Sequence, residues 1–149
     1  MRHVRKKQAA DQHTQRRARE ALQTLFAYQA DVLLAYIHGS FAREEPFRDL
    51  DVAALVADRD RDGFLARELR LEAAVEDALR RVEFTSPVDL RTLNRAPVSF
   101  SYQVIRTGFP VFVRDDGVRV DFETRTVSRY LDFARFRREQ LREVLGVAV

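Results

Sequence analysis

The chain has 149 residues, of which 46% are hydrophobic and 33% charged, with no cysteine and a net charge of +3. That is the balance of one soluble globular domain with a proper core. It excludes disulfides, thiolate nucleophiles and cysteine-type zinc sites, and its longest apolar run of six residues excludes a membrane span.

A reducing cytoplasm fits this composition. No signal peptide is expected, because Met1 is followed by Arg2, His3, Arg5, Lys6 and Lys7 without an apolar segment behind them. Residues 1–19 carry seven basic side chains and one acid, so the remainder of the chain is mildly acidic. The expected division is a basic amino-terminal arm over residues 1–17 and one domain over 18–149. The arm is read as a solvated extension, with contact to nucleic acid as the alternative.

Apolar residues at Ala18, Ala21, Leu22, Leu25 and Phe26 predict an amphipathic helix that begins near Asp11. Val32 to Ile37 is continuously apolar and predicts a buried strand. Ser40 can open a short helix over Phe41 to Glu44, ended by Pro46. Leu50 to Val56 predicts a second strand, and Asp58 to Asp62 a polar turn. A helix follows over about Gly63 to Arg81, with Leu71, Val75, Ala78, Leu79 and Val82 inward. Val88 to Leu90 predicts a short strand, Val98 to Thr107 a helix stopped by Gly108, and Phe109 to Val113 an edge strand. Asp115, Asp116 and Gly117 read as a turn. A long terminal helix is predicted from about Asp121 to Leu145. Its stripe of Val127, Tyr130, Leu131, Ala134 and Leu141, flanked by Phe122, Phe133 and Phe136, can face the core or a partner. Strands that alternate with helices predict an α/β fold with a small mixed sheet flanked by helices.

The chemistry concentrates between the first two strands. Asp49 and Asp51 are one residue apart, and i and i+2 share a face in a strand. Two carboxylates about 6 Å apart repel by roughly 3 kcal/mol at an effective dielectric near 20, which points to a cation between them. Hard oxygen ligands without thiols suit Mg²⁺. Gly39 allows close backbone approach, and the amide of Ser40 at a helix start favours a phosphate. Asp89, mid-strand between Val88 and Leu90, is the candidate third carboxylate, with an ion pair to Arg91 as its alternative role. His38 is read as structural. Arg43 is open between a phosphate contact and a pair with Glu44 or Glu45. There is no Gly-x-x-x-x-Gly-Lys or Gly-x-Gly-x-x-Gly fingerprint, and three scattered histidines have no metal spacing.

Gly39-Ser40, an eight-residue spacer, Asp49-Leu50-Asp51 and a later Asp89 resemble the nucleotidyltransferase superfamily with the polymerase-beta-like fold. Ala42-Arg43 matches its common Gly-Ser-x-Ala-Arg form. Length, Pro87-Val88-Asp89-Leu90, Leu93-Asn94 and the helix ending at Gly108 are similar to the minimal nucleotidyltransferase (MNT) antitoxins. The likeness spans about residues 18 to 138. His38 stands where Phe is commoner, and Arg48 where Ser is usual, which removes a hydroxyl beside the carboxylates. The resemblance implies an antitoxin that transfers AMP from ATP, with Mg²⁺, to a tyrosine of a HEPN-type RNase toxin carried on another chain. It further implies that Asp49, Asp51 and Asp89 hold metal and act in catalysis, while Gly39, Ser40 and Arg43 bind the nucleotide. The alternatives are a degenerate transferase that blocks a toxin by contact alone and an enzyme acting on a small hydroxylated acceptor.

Overall fold

The computed structural model describes residues 11–58 and 61–146. The first ten residues of the expected basic arm, and residues 59 and 60 of the expected polar turn, lie outside them. The arm's last residues belong to a helix, α1 (Gln12–Ala27), whose amino end is capped by Asp11 accepting from the Thr14 amide at 2.7 Å. Its buried residues Ala18, Leu22 and Phe26 recur every four positions, so one stripe meets the sheet.

Four strands follow: β1 (Val32–His38), β2 (Leu50–Val56), β3 (Val88–Thr92) and β4 (Phe109–Val113). They lie in the order β3-β2-β1-β4. β1 runs antiparallel to β2 and β4, and β2 runs parallel to β3. The sheet is therefore mixed, with β4 on an edge as expected.

Both faces are covered, which is why β1 and β2 are apolar without alternation. α1 and α3 (Arg61–Arg80) pack on one face, where Leu71, Val75 and Leu79 join Leu22, Phe26, Ala35, Ile37, Val52 and Ala54. α4 (Val98–Thr107) and α5 (Asp116–Leu145) cover the other, where Val104 and Phe122 join Leu34, Tyr36, Ala53 and Leu93. The buried Tyr36 hydroxyl donates to Glu123 at 2.6 Å and ties α5 to the sheet. Arg114 reaches back to the carbonyls of Val32, Phe26 and Gln29 at 2.8–3.0 Å, and so satisfies the end of α1.

β3 is an edge strand, and its outward amides are not left open. Three glutamates one turn apart on α3 accept them: Glu76 from Val88 at 3.4 Å, Glu72 from Leu90 at 3.1 Å and Glu68 from Thr92 at 2.7 Å. This ladder satisfies the edge and fixes the strand that carries Asp89. Glu72→Ala should cost about 1–3 kcal/mol in urea unfolding, because the Leu90 amide loses its acceptor. A loss under about 0.3 kcal/mol would mean that water replaces the carboxylate at no disadvantage.

Two expected boundaries move. The residues read as a turn, Asp115 to Gly117, instead start the terminal helix: Asp115 is its N-cap, accepting from the Gly117 amide at 2.7 Å, so α5 begins at Asp116 rather than Asp121. The short helix α2 is Gly39–Ala42, not Phe41 to Glu44. It ends before Pro46 because Glu44 adopts a left-handed conformation, φ 57°. On α5, Tyr130 stacks on Tyr102 at 3.7 Å, but Leu131, Phe133, Phe136 and Leu141 are exposed. No helix among the described residues is long and apolar enough to cross a membrane.

Candidate active site

The end of β1 and the start of β2 form the site. β1 finishes at His38, and the chain turns through Gly39 at φ +71°, a left-handed conformation that glycine adopts without penalty. The glycine has a second reason to be there. A Cβ on it would lie 2.1 Å from Oδ2 of Asp51 and 3.1 Å from its Cγ. The Asp51 carboxylate is thus laid directly against the Gly39 backbone.

Register does the rest. Asp51 is the partner of His38 on one side and of Asp89 on the other. The parallel pairing of β2 and β3 brings together carboxylates that are 38 residues apart in the chain. Asp49 sits one residue before β2, in a bend, and is exposed. Only Asp51 lies within β2, so strand alternation alone does not set the place of Asp49 beside it. Asp49 still acts on its neighbour by charge.

The electrostatics show the strain of this grouping. Partial burial, then the charges of Asp89 and Asp49, together push the Asp51 carboxyl up to about 6 against the opposing charges of Arg91 and Arg43. Burial also holds the His38 imidazole below its ordinary value, against the pull of Asp89. That ring meets Phe100 of α4 edge-on at 5.5 Å, a packing role that matches the structural reading of His38.

Two arginines are engaged. Arg43 pairs with Glu45 at 3.2 Å, one of the two outcomes open from the sequence, and both side chains are exposed. Arg91 lies 3.8 Å from Asp89 and over the Phe100 ring at 5.5 Å. The sequence offers Arg91 only as an ion-pair partner. Its place two residues after Asp89 on one strand face is the available signal for a site residue. Phe100 carries no such signal.

Among the described residues, no three carboxylate or imidazole groups close into a preformed metal cage. The donor chemistry nonetheless fits a hard divalent cation: three carboxylates, no sulfur, and a mutual repulsion that such a charge would cancel. Asp49, Asp51 and Asp89 are the carboxylates that could hold one.

A pH test follows from Asp51. Its folded pKa lies above the unfolded value, so the folded protein binds this proton more tightly. The contribution of Asp51 to stability is then most favourable at acid pH and is lost as pH rises from about 4 through 6. In chelator-treated protein, Asp51→Asn should be more stable than wild type at pH 7.5 by about 1 kcal/mol, allowing for solvent screening of a half-exposed group. The gain should vanish near pH 4. Equal stability of the two proteins at pH 7.5 would show that Asp51 carries no such burden.

A family model described as "Polymerase beta, Nucleotidyltransferase" matches residues 20–117. No curated protein matches. Among solved structures, the chain is similar to the complex of a tri-AMPylated Shewanella oneidensis HEPN toxin with an MNT antitoxin, with a TM-score of 0.65 and 23% identity over 88% of this chain and 98% of that one. It is also similar to the toxin–antitoxin MntA-HepT, with a TM-score of 0.62 and 23% identity over 88% and 98%. A third likeness is to a toxin–antitoxin with AMP-PNP, with a TM-score of 0.62 and 23% identity over 85% and 98%. At such identity the structural likeness is one of fold.

Proposed function

The chain belongs to the polymerase-beta nucleotidyltransferase family, and on that premise we propose that it is an antitoxin that transfers AMP from ATP to a tyrosine of a cognate HEPN-type toxin. The observation that carries this reading is the Asp51 carboxylate, held against the Gly39 turn and registered across β2 and β3 with Asp89. The fold's likeness to antitoxins, one in complex with an AMP-bearing toxin and one with an ATP analogue, supports the same substrate and partner.

In this reading Gly39 and Ser40 grip the triphosphate, and Arg43 leaves Glu45 to meet a phosphate. Asp49, Asp51 and Asp89 hold Mg²⁺, which when bound supplies positive charge against the reacting phosphates. The tyrosine oxygen attacks the α-phosphorus, the bond from that phosphorus to the bridging oxygen breaks, and pyrophosphate leaves. Asp89 helps to activate the acceptor hydroxyl, whose proton ends in solvent. Catalysis then rests on positioning and charge, with no covalent intermediate on this chain. The exposed apolar side chains of distal α5, Leu131, Phe133, Phe136 and Leu141, offer the toxin a surface.

The test mixes this protein, Mg²⁺ and ATP labelled at the α-phosphate with the product of the adjacent reading frame. Label on a tyrosine of that neighbour, located by mass spectrometry, is the expected result. Neutralisation of the neighbour with no label transferred would favour the second reading, inhibition by contact alone. The pairing of Asp89 with Arg91 and the absence of a preformed cage among the described residues are what keep that reading in play.

A further inference from the structure

α5 runs past the core. Thr126 is its last buried residue, and every residue from 135 to 146 is exposed. The exposed length is not uniform around its axis. Phe133, Leu141 and Leu145 fall in one row, at spacings of eight and four, and Tyr130 and Ala134 begin the row beside it. Arg137 completes the first row and Arg138 extends the second. Asp132, Glu139 and Glu143 recur at spacings of seven and four on the opposite side of the helix.

Where α5 leaves α4, the two rows wall a groove of about 340 Å³. Ser99 and Tyr130 line it on the α4 side, with Tyr130 held by its stack on Tyr102 at 3.7 Å. Phe133 and Leu141 line the rest, together with Arg137 and Arg138, and no carboxylate does. Neither of these guanidiniums has an ion pair or hydrogen bond among the described residues. Away from this face, Arg125 and Arg135 of the same helix pair with Asp121 and Asp132 at 2.6 Å and 3.8 Å. The apolar face is therefore rimmed by positive charge alone.

That rim selects what can cover the face. A second copy is disfavoured, because in a two-fold dimer the patch meets itself and the guanidiniums of both copies gather without counter-charge. Rows four residues apart form ridges that suit another helix. We propose that distal α5 docks an amphipathic helix of the toxin whose apolar stripe is flanked by Asp and Glu. An apolar side chain of that helix fills the groove between Phe133 and Leu141, and its carboxylates meet Arg137 and Arg138. The proposal deepens the antitoxin reading and rests on it for the identity of the partner.

The experiment is a calorimetric titration of the full chain with the product of the adjacent reading frame, without ATP. Arg137→Glu combined with Arg138→Glu should weaken association by at least about tenfold, and added salt should weaken wild type more than this variant. Phe133→Ala should weaken association by about tenfold at low and high salt alike. All three side chains are exposed, so the core is spared. With Mg²⁺ and labelled ATP, excess partner should restore transfer to the arginine variant, since only docking is impaired. With photoreactive p-benzoylphenylalanine in place of Phe133, the cross-linked peptide should interleave Asp or Glu with apolar residues at helical spacing. Wild-type affinity in both variants, with label still transferred, would overturn the docking surface and leave the antitoxin reading intact. Weakened association in both variants, with no label transferred by wild type, would support the surface and overturn AMP transfer. Cross-linking to a second copy of this chain would overturn the proposal. So would binding of a single-stranded RNA oligonucleotide that the arginine variant loses while its affinity for the partner is unchanged.

Discussion

Asp51→Asn should reduce AMP transfer by at least about 10³-fold, a loss of roughly 4 kcal/mol of transition-state stabilisation. The side chain keeps its size, so the Gly39 contact and the β2–β3 pairing survive. What disappears is the charge at the one carboxylate that is half-buried, registered with Asp89 and pressed on the turn. Association with the partner should persist. The same substitution is expected to raise stability at neutral pH, because Asp51 is held ionised against burial and two neighbouring carboxylates. Loss of activity with gain of stability is the mark of a residue kept for function rather than folding. Rates within about threefold of wild type, read with ATP labelled at the α-phosphate, would remove Asp51 from the mechanism.

Gly39→Ala should lower transfer by about 10²-fold while the protein still folds. The added Cβ meets Oδ2 of Asp51 at 2.1 Å, and that oxygen is the end of a side chain that can swing away. The carboxylate therefore moves before the backbone does, and the damage falls on the site. The left-handed backbone adds about 1–2 kcal/mol of strain. Gly146→Ala is the control. That glycine has φ +60° with nothing within 4 Å of where a Cβ would stand, so the change carries the backbone term without the collision. Similar loss of stability in the two variants, with loss of activity only at Gly39, is the expected pair of results. Full activity in Gly39→Ala would show that the glycine serves the turn and not the carboxylate.

Much of this is written in residue order. Two apolar runs with Gly39-Ser40 and Asp49-Leu50-Asp51 between them point to two buried strands and the turn that joins them, because burial on both faces demands unbroken apolar sequence. Asp89 stands out for a related reason: a carboxylate between Val88 and Leu90 is costly unless something answers it. The start of α5 misleads because Asp-Asp-Gly serves a turn and a helix cap equally well. What distinguishes them is the helical bond from the Arg119 amide to the Asp115 carbonyl at 3.3 Å. The second strand is legible to the residue, Leu50 to Val56, so Asp49 stands just before it and Asp51 within it.

The long-range partnerships have no local signal. Glu68, Glu72 and Glu76 look like a solvated helix face, and only the approach of β3 turns them into acceptors for its edge. Arg91, Phe100 and His38 meet because β3, α4 and β1 converge, not because of any spacing between them. Residue order determined which strands form, where the chain turns through glycine and which carboxylates are candidates for holding a cation. The tertiary structure decided that Asp51 and Asp89 are neighbours, that Arg91 accompanies them, and that the apolar face of distal α5 stays exposed. Local preference acts over a few residues, whereas strand register and helix docking bring together groups whose distance in the chain says nothing of their distance in space.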